Sequence, residues 1–189
     1  MIRVVICVLA IVVIGAMGLT KKERDDFLNN HNRMRRLLLA GKVRGQPKAR
    51  SMRTMRWDSG LEKTAQMKAK SCVFAHDKFR NRTPSGGSKS PIYKWIGQNL
   101  ALFGSTASKF DIQQGVRSWW AENRYYNYKT NTCKSGKQCG HYTQIAWAKT
   151  TNLGCAYQKC AKNRRIPMPW VLIVCNYAPG GNIVKMKPY

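Results

Sequence analysis

Acidic residues are scarce in this chain. Its 189 residues include 8 Asp and Glu against 34 Lys and Arg, so the formal net charge is +26. A field of this sign attracts polyanions and raises their association rates, although it does not identify them. Nine of the cations, and no acid, lie between Arg33 and Arg56. We therefore predict an anion-binding surface there, with a solvated surface lacking any particular partner as the alternative; its residues are Arg44, Lys48, Arg50, Arg53 and Arg56.

The apolar run near the N-terminus is too short to span a membrane. It extends for about a dozen residues, whereas a spanning helix needs roughly 20. Arg3 precedes this run, and Ala16-Met17-Gly18 follows it in the small-x-small form of a signal-peptidase site. We therefore predict a signal peptide over residues 1–18, a single domain over 19–189, and a secreted, extracellular protein.

Cysteine pairs of the CxxC type, which are common in zinc sites, are absent. Signal removal would take Cys7 and leave six cysteines, and an even count in a secretory chain indicates three disulfides. Asn81 begins an Asn-Arg-Thr sequon for glycosylation, although Pro84 follows it. Outside the cell, the polyanions available are sulfated glycans, acidic lipid surfaces and acidic proteins, and we expect no nucleic-acid partner.

Helical signals occupy the first two thirds of the chain. Thr20 and Glu23 fit a capping box, and apolar residues then recur at helical spacing to about Gly41, with His31 on the apolar stripe as an expected core residue. Residues 41–57 are predicted to be a surface loop. A second capping box at Ser59 and Glu62 predicts a helix that ends near His76. Residues 77–91 are predicted to form a polar loop, and 108–122 a third helix.

Strand signals follow the helices. Three β-branched or aromatic runs have strand length, at 142–148, 153–158 and 170–177. Helices first and strands last predict an α+β fold with helices packed on an antiparallel sheet.

Several motifs resemble one family. CGHYTQIAW (139–147) and VLIVCNYAPGGN (171–182) resemble the two signatures of the CAP superfamily, which contains plant pathogenesis-related class 1 proteins, insect venom allergens, cysteine-rich secretory proteins and helminth venom-allergen-like proteins. HNRMRR (31–36), CVFAHD (72–77), GQNLA (97–101) and WWAENRYY (119–126) also fall in family order. The resemblance extends from about residue 24 to the C-terminus and is especially close to the plant class in 131–147.

The resemblance implies an α-β-α sandwich with an antiparallel central sheet. It also implies the disulfides Cys133–Cys139, Cys72–Cys160 and Cys155–Cys175. Each bond would stabilise the fold by about 2–4 kcal/mol in the loop-closure description.

The resemblance further implies a central cleft lined by two His and two acidic residues. The matching positions are His76, Gln98, Glu122 and His141. Gln98 departs from the pattern, because many members have Glu there and a neutral amide is a poor metal ligand. Three interpretations stay open: a site for zinc or another divalent cation, a metal-dependent hydrolase using His76, Glu122 and His141, and a polar cluster that hydrogen-bonds the sandwich together.

The family implies a function in binding. We expect a non-enzymatic extracellular protein with a role in host–pathogen contact, defence, venom or signalling, monomeric or weakly dimeric. Binding of sulfated glycans or acidic membrane lipids is the alternative, through the cations of residues 33–56 and through Lys162, Arg164 and Arg165. Some members of the family bind sterols or other lipids. Four aromatic residues around GQNLA are candidates for lipid contact here: Tyr93, Trp95, Phe103 and Phe110. Their spacing does not match the family's strict sterol motif.

Overall fold

A computed structural model describes residues 18–78, 93–104 and 111–189. The helices are α1 (Lys21–Leu39), α2 (Ser59–Lys70), α3 (Gln113–Ala121) and α4 (Gly140–Ile145). The strands are β1 (Arg56–Trp57), β2 (Gly97–Gly104), β3 (Tyr126–Asn127), β4 (Thr132–Cys133), β5 (Asn152–Cys160) and β6 (Trp170–Ala178). Some predicted features lie outside the described residues, and those predictions stay open. They are the signal peptide (except Gly18), the sequon at Asn81, most of the 77–91 loop and Phe110.

The central sheet has the strand order β1-β5-β6-β2. β6 pairs antiparallel with both β5 and β2, while the two-residue β1 runs parallel to β5. Alternate residues of β6 face opposite layers: Val171 and Ile173 join one apolar cluster, whereas Trp170 and Leu172 join another. Both faces of the sheet are therefore buried, which explains the nearly continuous apolar sequence of β6.

Helices cover the two faces of this sheet. The face of Val171 and Ile173 packs against Phe27 and Met34 of α1 and Val116 of α3. The opposite face packs against Ala65 and Ala69 of α2. The predicted α-β-α sandwich with an antiparallel-rich sheet is confirmed. Among the described residues, no helix is long and apolar enough to cross a membrane.

α1 forms as its sequence predicts. The Thr20 side chain accepts from the Glu23 amide, and the Glu23 carboxylate accepts from the Thr20 amide, which completes the capping box. The helix ends at Leu39, before Gly41 adopts a φ of +67°. His31 is fully buried, so its prediction as a core histidine is confirmed.

The boundaries of the next two helices differ from the prediction. Asp58, rather than Ser59, caps α2 by accepting from the Leu61 amide, and Glu62 binds Arg24 and Trp57 instead of closing a capping box. α2 ends at Lys70, six residues before His76. α3 begins at Gln113 and ends at Ala121. The loop of residues 41–57 is exposed at its cations but buries Val43, Ala49 and Met55 and ends in β1.

Two strand predictions at 153–158 and 170–177 are confirmed by β5 and β6. The strand predicted at 142–148 is wrong, because the chain forms the short helix α4 there. The prediction also missed β2, which contains the GQNLA motif and pairs with β6 along its whole length.

Three disulfides join the pairs Cys72–Cys160, Cys133–Cys139 and Cys155–Cys175. These are the pairs that the resemblance implies. Cys155 and Cys175 are directly opposite on β5 and β6, so this bond lies in the middle of the sheet. The Cys72–Cys160 bond ties the chain just after α2 to the end of β5 and thereby limits where His76 can lie.

Candidate functional site

Glu122 holds both the side chain and the backbone of His141. It begins the 3₁₀ turn Glu122–Tyr125 that directly follows α3. Its Oε1 accepts from His141 Nδ1 at 2.6 Å, and its Oε2 accepts from the backbone amides of His141 at 3.0 Å and Tyr142 at 3.2 Å. The imidazole also stacks on Trp119, with ring centroids 6.0 Å apart. Because Nδ1 donates, Nε2 is the acceptor nitrogen of the neutral ring.

Gln98 pairs with the other cleft histidine, His76. Gln98 is buried in β2, and its Nε2 donates to Asn176 Oδ1 of β6 at 3.0 Å. Asn176 in turn donates to the Thr64 hydroxyl of α2. This chain orients the Gln98 amide so that its Oε1 accepts from Nδ1 of the exposed His76 at 3.0 Å. A neutral amide thus occupies the place where the family pattern would put a carboxylate.

The two pairs border a cleft of about 420 Å³. Its polar lining consists mainly of neutral side chains, and Glu122 lies behind His141 rather than on the cleft wall. The lining residues are Phe74, Ala75, His76, Gln98, Asn99, Leu100, Gln138, Cys139, Gly140, His141 and Asn182. The structure therefore gathers the four positions expected from the resemblance in one region, as two separate hydrogen-bonded pairs.

These residues do not fit a divalent-cation centre. Zinc sites use three or four His, Cys, Asp or Glu ligands at close range. Within residues 18–78, 93–104 and 111–189, no group of three such side chains is placed to hold a metal ion. The Glu122 carboxylate already accepts the three hydrogen bonds described above. The Gln98 side chain is neutral and adds no negative charge to attract a cation.

The cleft also lacks the parts of a hydrolase. Among the lining residues there is no serine or threonine, and Cys139 is disulfide-bonded. His141 and Glu122 form an oriented imidazole–carboxylate pair, but a general base needs a nucleophile within hydrogen-bonding reach. The pair orients His141, and among the described lining residues no hydroxyl or free thiol side chain stands beside it.

A buried hydrogen-bond chain connects the cleft to α1. Asn99 donates to the backbone oxygen of His141 and to the Tyr177 hydroxyl, both at 3.1 Å. The Tyr177 hydroxyl lies 2.9 Å from His31 Nε2, and His31 Nδ1 lies 2.7 Å from the Phe27 carbonyl. Burial lowers the pKa of His31 to about 4 and raises that of Tyr177. This neutral network fixes the position of the strand and helix that carry Gln98 and His141.

A second concave region is strongly cationic. We call it the basic groove; its volume is about 840 Å³. It contains three residues of the predicted anion-binding set, Lys48, Arg50 and Arg53, whereas Arg44 and Arg56 are exposed outside it. The described residues that line it are Pro47, Lys48, Arg50, Ser51, Arg53, Tyr128, Trp147, Ala148, Lys149, Met186, Lys187, Pro188 and Tyr189.

The sequence prediction missed Lys149, Lys187 and Tyr128. Each lies in a different segment, about 20 to 60 positions from the other two. No local pattern of charge or spacing marks them. Only the fold brings them beside Arg50 and Arg53.

Of the aromatic residues proposed for lipid contact, Trp95 is 44% exposed and donates to the Gly181 carbonyl. The half-buried Tyr93 donates to Asp58, and Phe103 packs against the core. Each of the three residues has a contact with a different part of the protein, and lipid binding there stays a prediction.

Comparison with known proteins agrees with this architecture. Residues 28–177 match the family described as "CAP: Cysteine-rich secretory protein family". The protein therefore belongs to the CAP family. Peptidase inhibitor 16 of Mus musculus is 35% identical over 173 residues, which cover 91% of this chain but 30% of that protein. Venom allergen 5 of Vespula maculifrons is 35% identical over 185 residues, covering 94% of this chain and 76% of the relative.

Solved structures show the same fold. Venom allergen-like protein 4 of Schistosoma mansoni superposes with a TM-score of 0.72 at 30% identity, covering 90% of this chain and 95% of that one. NaASP2, solved with Zn²⁺, gives a TM-score of 0.71 at 28% identity, covering 93% of this chain and 88% of that one. The chain spans about a third of the length of the peptidase inhibitor 16 proteins that it matches, so the activity of these longer relatives is not assigned to it.

Proposed function

We propose that this is a secreted, non-enzymatic CAP protein that acts by binding an anionic extracellular partner through its basic surface. The role would be one of contact, as in host–pathogen interaction, defence, venom or signalling. Three disulfides support an oxidising extracellular location, because such bonds form and persist there.

The observation that carries this proposal is the separation of the two signs of charge. All eight carboxylate side chains lie outside the basic groove. Their partners include the following: Glu23 lies in the α1 cap, Asp25 pairs with Lys21, Asp26 with Lys22, Asp58 lies in the α2 cap, Glu62 pairs with Arg24, Asp111 with Arg117 and Glu122 with His141. In the part of the chain that the structure describes, the five cations of the groove form no ion pair. Their charge is thus available to a partner.

The cleft around His76 and His141 enters this proposal as a structural element. The Zn²⁺ of NaASP2 is a property of that protein. In this chain Gln98 is neutral, the Glu122 carboxylate is already bonded, and the net charge repels cations. We propose that zinc binding by this cleft is weak or absent and that the function does not require it.

Chromatography of the oxidised, secreted protein on heparin tests the proposal. A sulfonate cation exchanger of equal charge density, run in the same buffer, is the reference column. Since surface charges are screened within about 8 Å at physiological ionic strength, a purely general attraction should be lost at similar salt from both columns. We expect elution from heparin at clearly higher salt. Equal or earlier elution from heparin would refute the proposal.

A further inference from the structure

We infer that the basic groove is a binding site for a sulfated oligosaccharide. This inference rests on the proposed function and adds to it the site and the chemical class of the ligand. It concerns a region distinct from the cleft of His76 and His141.

Five cations converge on the groove from three parts of the chain. Lys48, Arg50 and Arg53 come from the loop after α1, Lys149 from the turn after α4, and Lys187 from the C-terminal segment. All five are exposed, and no Asp or Glu side chain is among the lining residues. A ligand that pairs with all five cations must therefore carry several negative charges spaced along its length. Arginine provides paired donors suited to the oxygen atoms of sulfate groups.

Aromatic rings form one wall of the groove. The half-buried rings of Tyr128 and Tyr189 pack with centroids 4.6 Å apart, and Lys187 Nζ lies 4.9 Å from the Tyr128 centroid. Lys187 and Tyr189 cover part of the Tyr128 ring, and the Tyr128 hydroxyl donates to the Tyr189 backbone oxygen. The apolar surface of this wall is therefore the exposed remainder of the two rings, on which the C–H face of a sugar ring can pack while its sulfates meet the cations. A linear polyphosphate has the charge but no such face.

Buried Arg35 makes the groove rigid. It is 2% exposed and donates to the carbonyls of Arg53, Trp147 and Ala148, all groove residues, as well as to those of Ile145 and Thr150. The Arg53 amide donates to the Ala148 carbonyl, and the Ala148 amide donates to the Pro188 carbonyl. Hydrogen bonds thus connect the three segments that carry the cations of the groove: the loop after α1, the turn after α4 and the C-terminal segment. Preorganisation of this kind lowers the cost of ordering the site when a ligand binds.

The concave shape favours a soluble chain over a membrane surface. A volume of about 840 Å³ lies within the typical range of ligand pockets. Among the lining residues the exposed apolar side chains are Pro47 and Met186, the latter at 42%, so the groove offers two exposed apolar side chains beside five cations. We therefore assign the site to an oligosaccharide and treat acidic lipid as the competing outcome.

The test is calorimetric titration of the oxidised protein with a heparin-derived hexasaccharide at physiological salt. The groove variant is Arg50→Ser with Lys149→Ser. The control is Lys162→Ser with Arg164→Ser, which removes the same charges from exposed positions between β5 and β6. We expect the groove variant to bind about tenfold more weakly and the control less than about twofold, from the energies of exposed ion pairs.

Each alternative has its own result. Equal losses in the two variants would refute the groove as the site while leaving polyanion binding intact. The unaltered protein could fail to bind the hexasaccharide and also elute from heparin at the same salt as from the sulfonate column. This pair of results would refute the proposed function as well. Linear polyphosphate of equal charge should bind more weakly, and equal binding would refute the sugar contact. The lipid alternative is tested with vesicles of equal parts phosphatidylcholine and phosphatidylserine. If the protein binds them tightly and the hexasaccharide does not displace it from them, the ligand is a lipid and the oligosaccharide assignment is refuted.

Discussion

His141 Nδ1 lies 2.6 Å from Glu122 Oε1, and the second oxygen of the same carboxylate accepts hydrogen bonds from the amides of His141 and Tyr142 in the first turn of α4. One side chain therefore orients the imidazole and caps the helix that carries it. Glu122 lies 19 residues before His141, so this cap is a tertiary contact. It replaces the local capping residue that α4 lacks, since the Cys139 side chain makes no capping bond.

Glu122→Gln should destabilise the protein by about 2 kcal/mol, because a hydrogen bond to a charged group contributes roughly 1.5–3 kcal/mol. Urea unfolding at neutral pH measures this change. Asp25→Asn is the control, since the Asp25–Lys21 pair is exposed and should contribute under about 0.5 kcal/mol. Equal effects of the two substitutions would contradict a capping role for Glu122.

Arg35→Met should cost at least about 3 kcal/mol, because it leaves five backbone carbonyls without their buried donor. The neighbouring Arg36→Met is a matched control, since Arg36 is exposed on the same helix and Met and Arg have similar helix propensities. We expect thermal unfolding to shift strongly for the first variant and little for the second. If Arg35→Met unfolds like Arg36→Met, the carbonyl contacts do not stabilise the groove.

Stability should decrease on acidification because of His31. Its pKa is about 4 in the folded protein, below the ordinary value near 6.5, since burial disfavours the imidazolium. Between pH 6.5 and 4 the unfolded chain binds a proton at this position and the folded protein does not, so unfolding becomes easier as pH falls. At 1.36 kcal/mol per unit, the loss is about 3 kcal/mol over this window.

Urea unfolding of the unaltered protein and of His31→Gln, from pH 7 to pH 4, isolates this contribution. The variant should be less stable at pH 7, because His31 bonds Phe27 and Tyr177, but its stability should change less with pH. The carboxylates are common to both proteins and cancel in the difference. Parallel pH profiles would show that His31 does not titrate as its burial requires.

Gln98→Glu should increase zinc affinity, because it places a carboxylate beside His76 in the cleft that His141 also lines. Calorimetric titration with zinc chloride should show weak or no binding to the unaltered protein and measurable binding to the variant. Gln98→Glu combined with His76→Ala serves as the control and should lose that gain. Tight zinc binding by the unaltered protein would contradict the assignment of its cleft as a poor metal site.

The prediction of α4 as a strand has a physical explanation. Residues 142–148 are rich in aromatic and apolar side chains of strand type, and most of them are buried. Burial alone does not distinguish a short helix from a strand. The missing information was the position of Glu122, whose carboxylate accepts from the amides of His141 and Tyr142 in the first turn of the helix. β2 was missed for a related reason, because helices cover both faces of the sheet and no alternation of polar and apolar residues marks it.

The sequence by itself determined the family, the disulfide count, the first helix with its capping box and the strongly positive net charge. These features depend on local patterns or on composition, which a single chain displays without its fold. Tertiary structure decided which cations meet and which carboxylates are already occupied. It placed Lys149 and Lys187 beside Arg50, and it left His76 with a neutral partner while Glu122 supports His141. Both results depend on contacts between distant segments, and no spacing along the chain encodes such contacts.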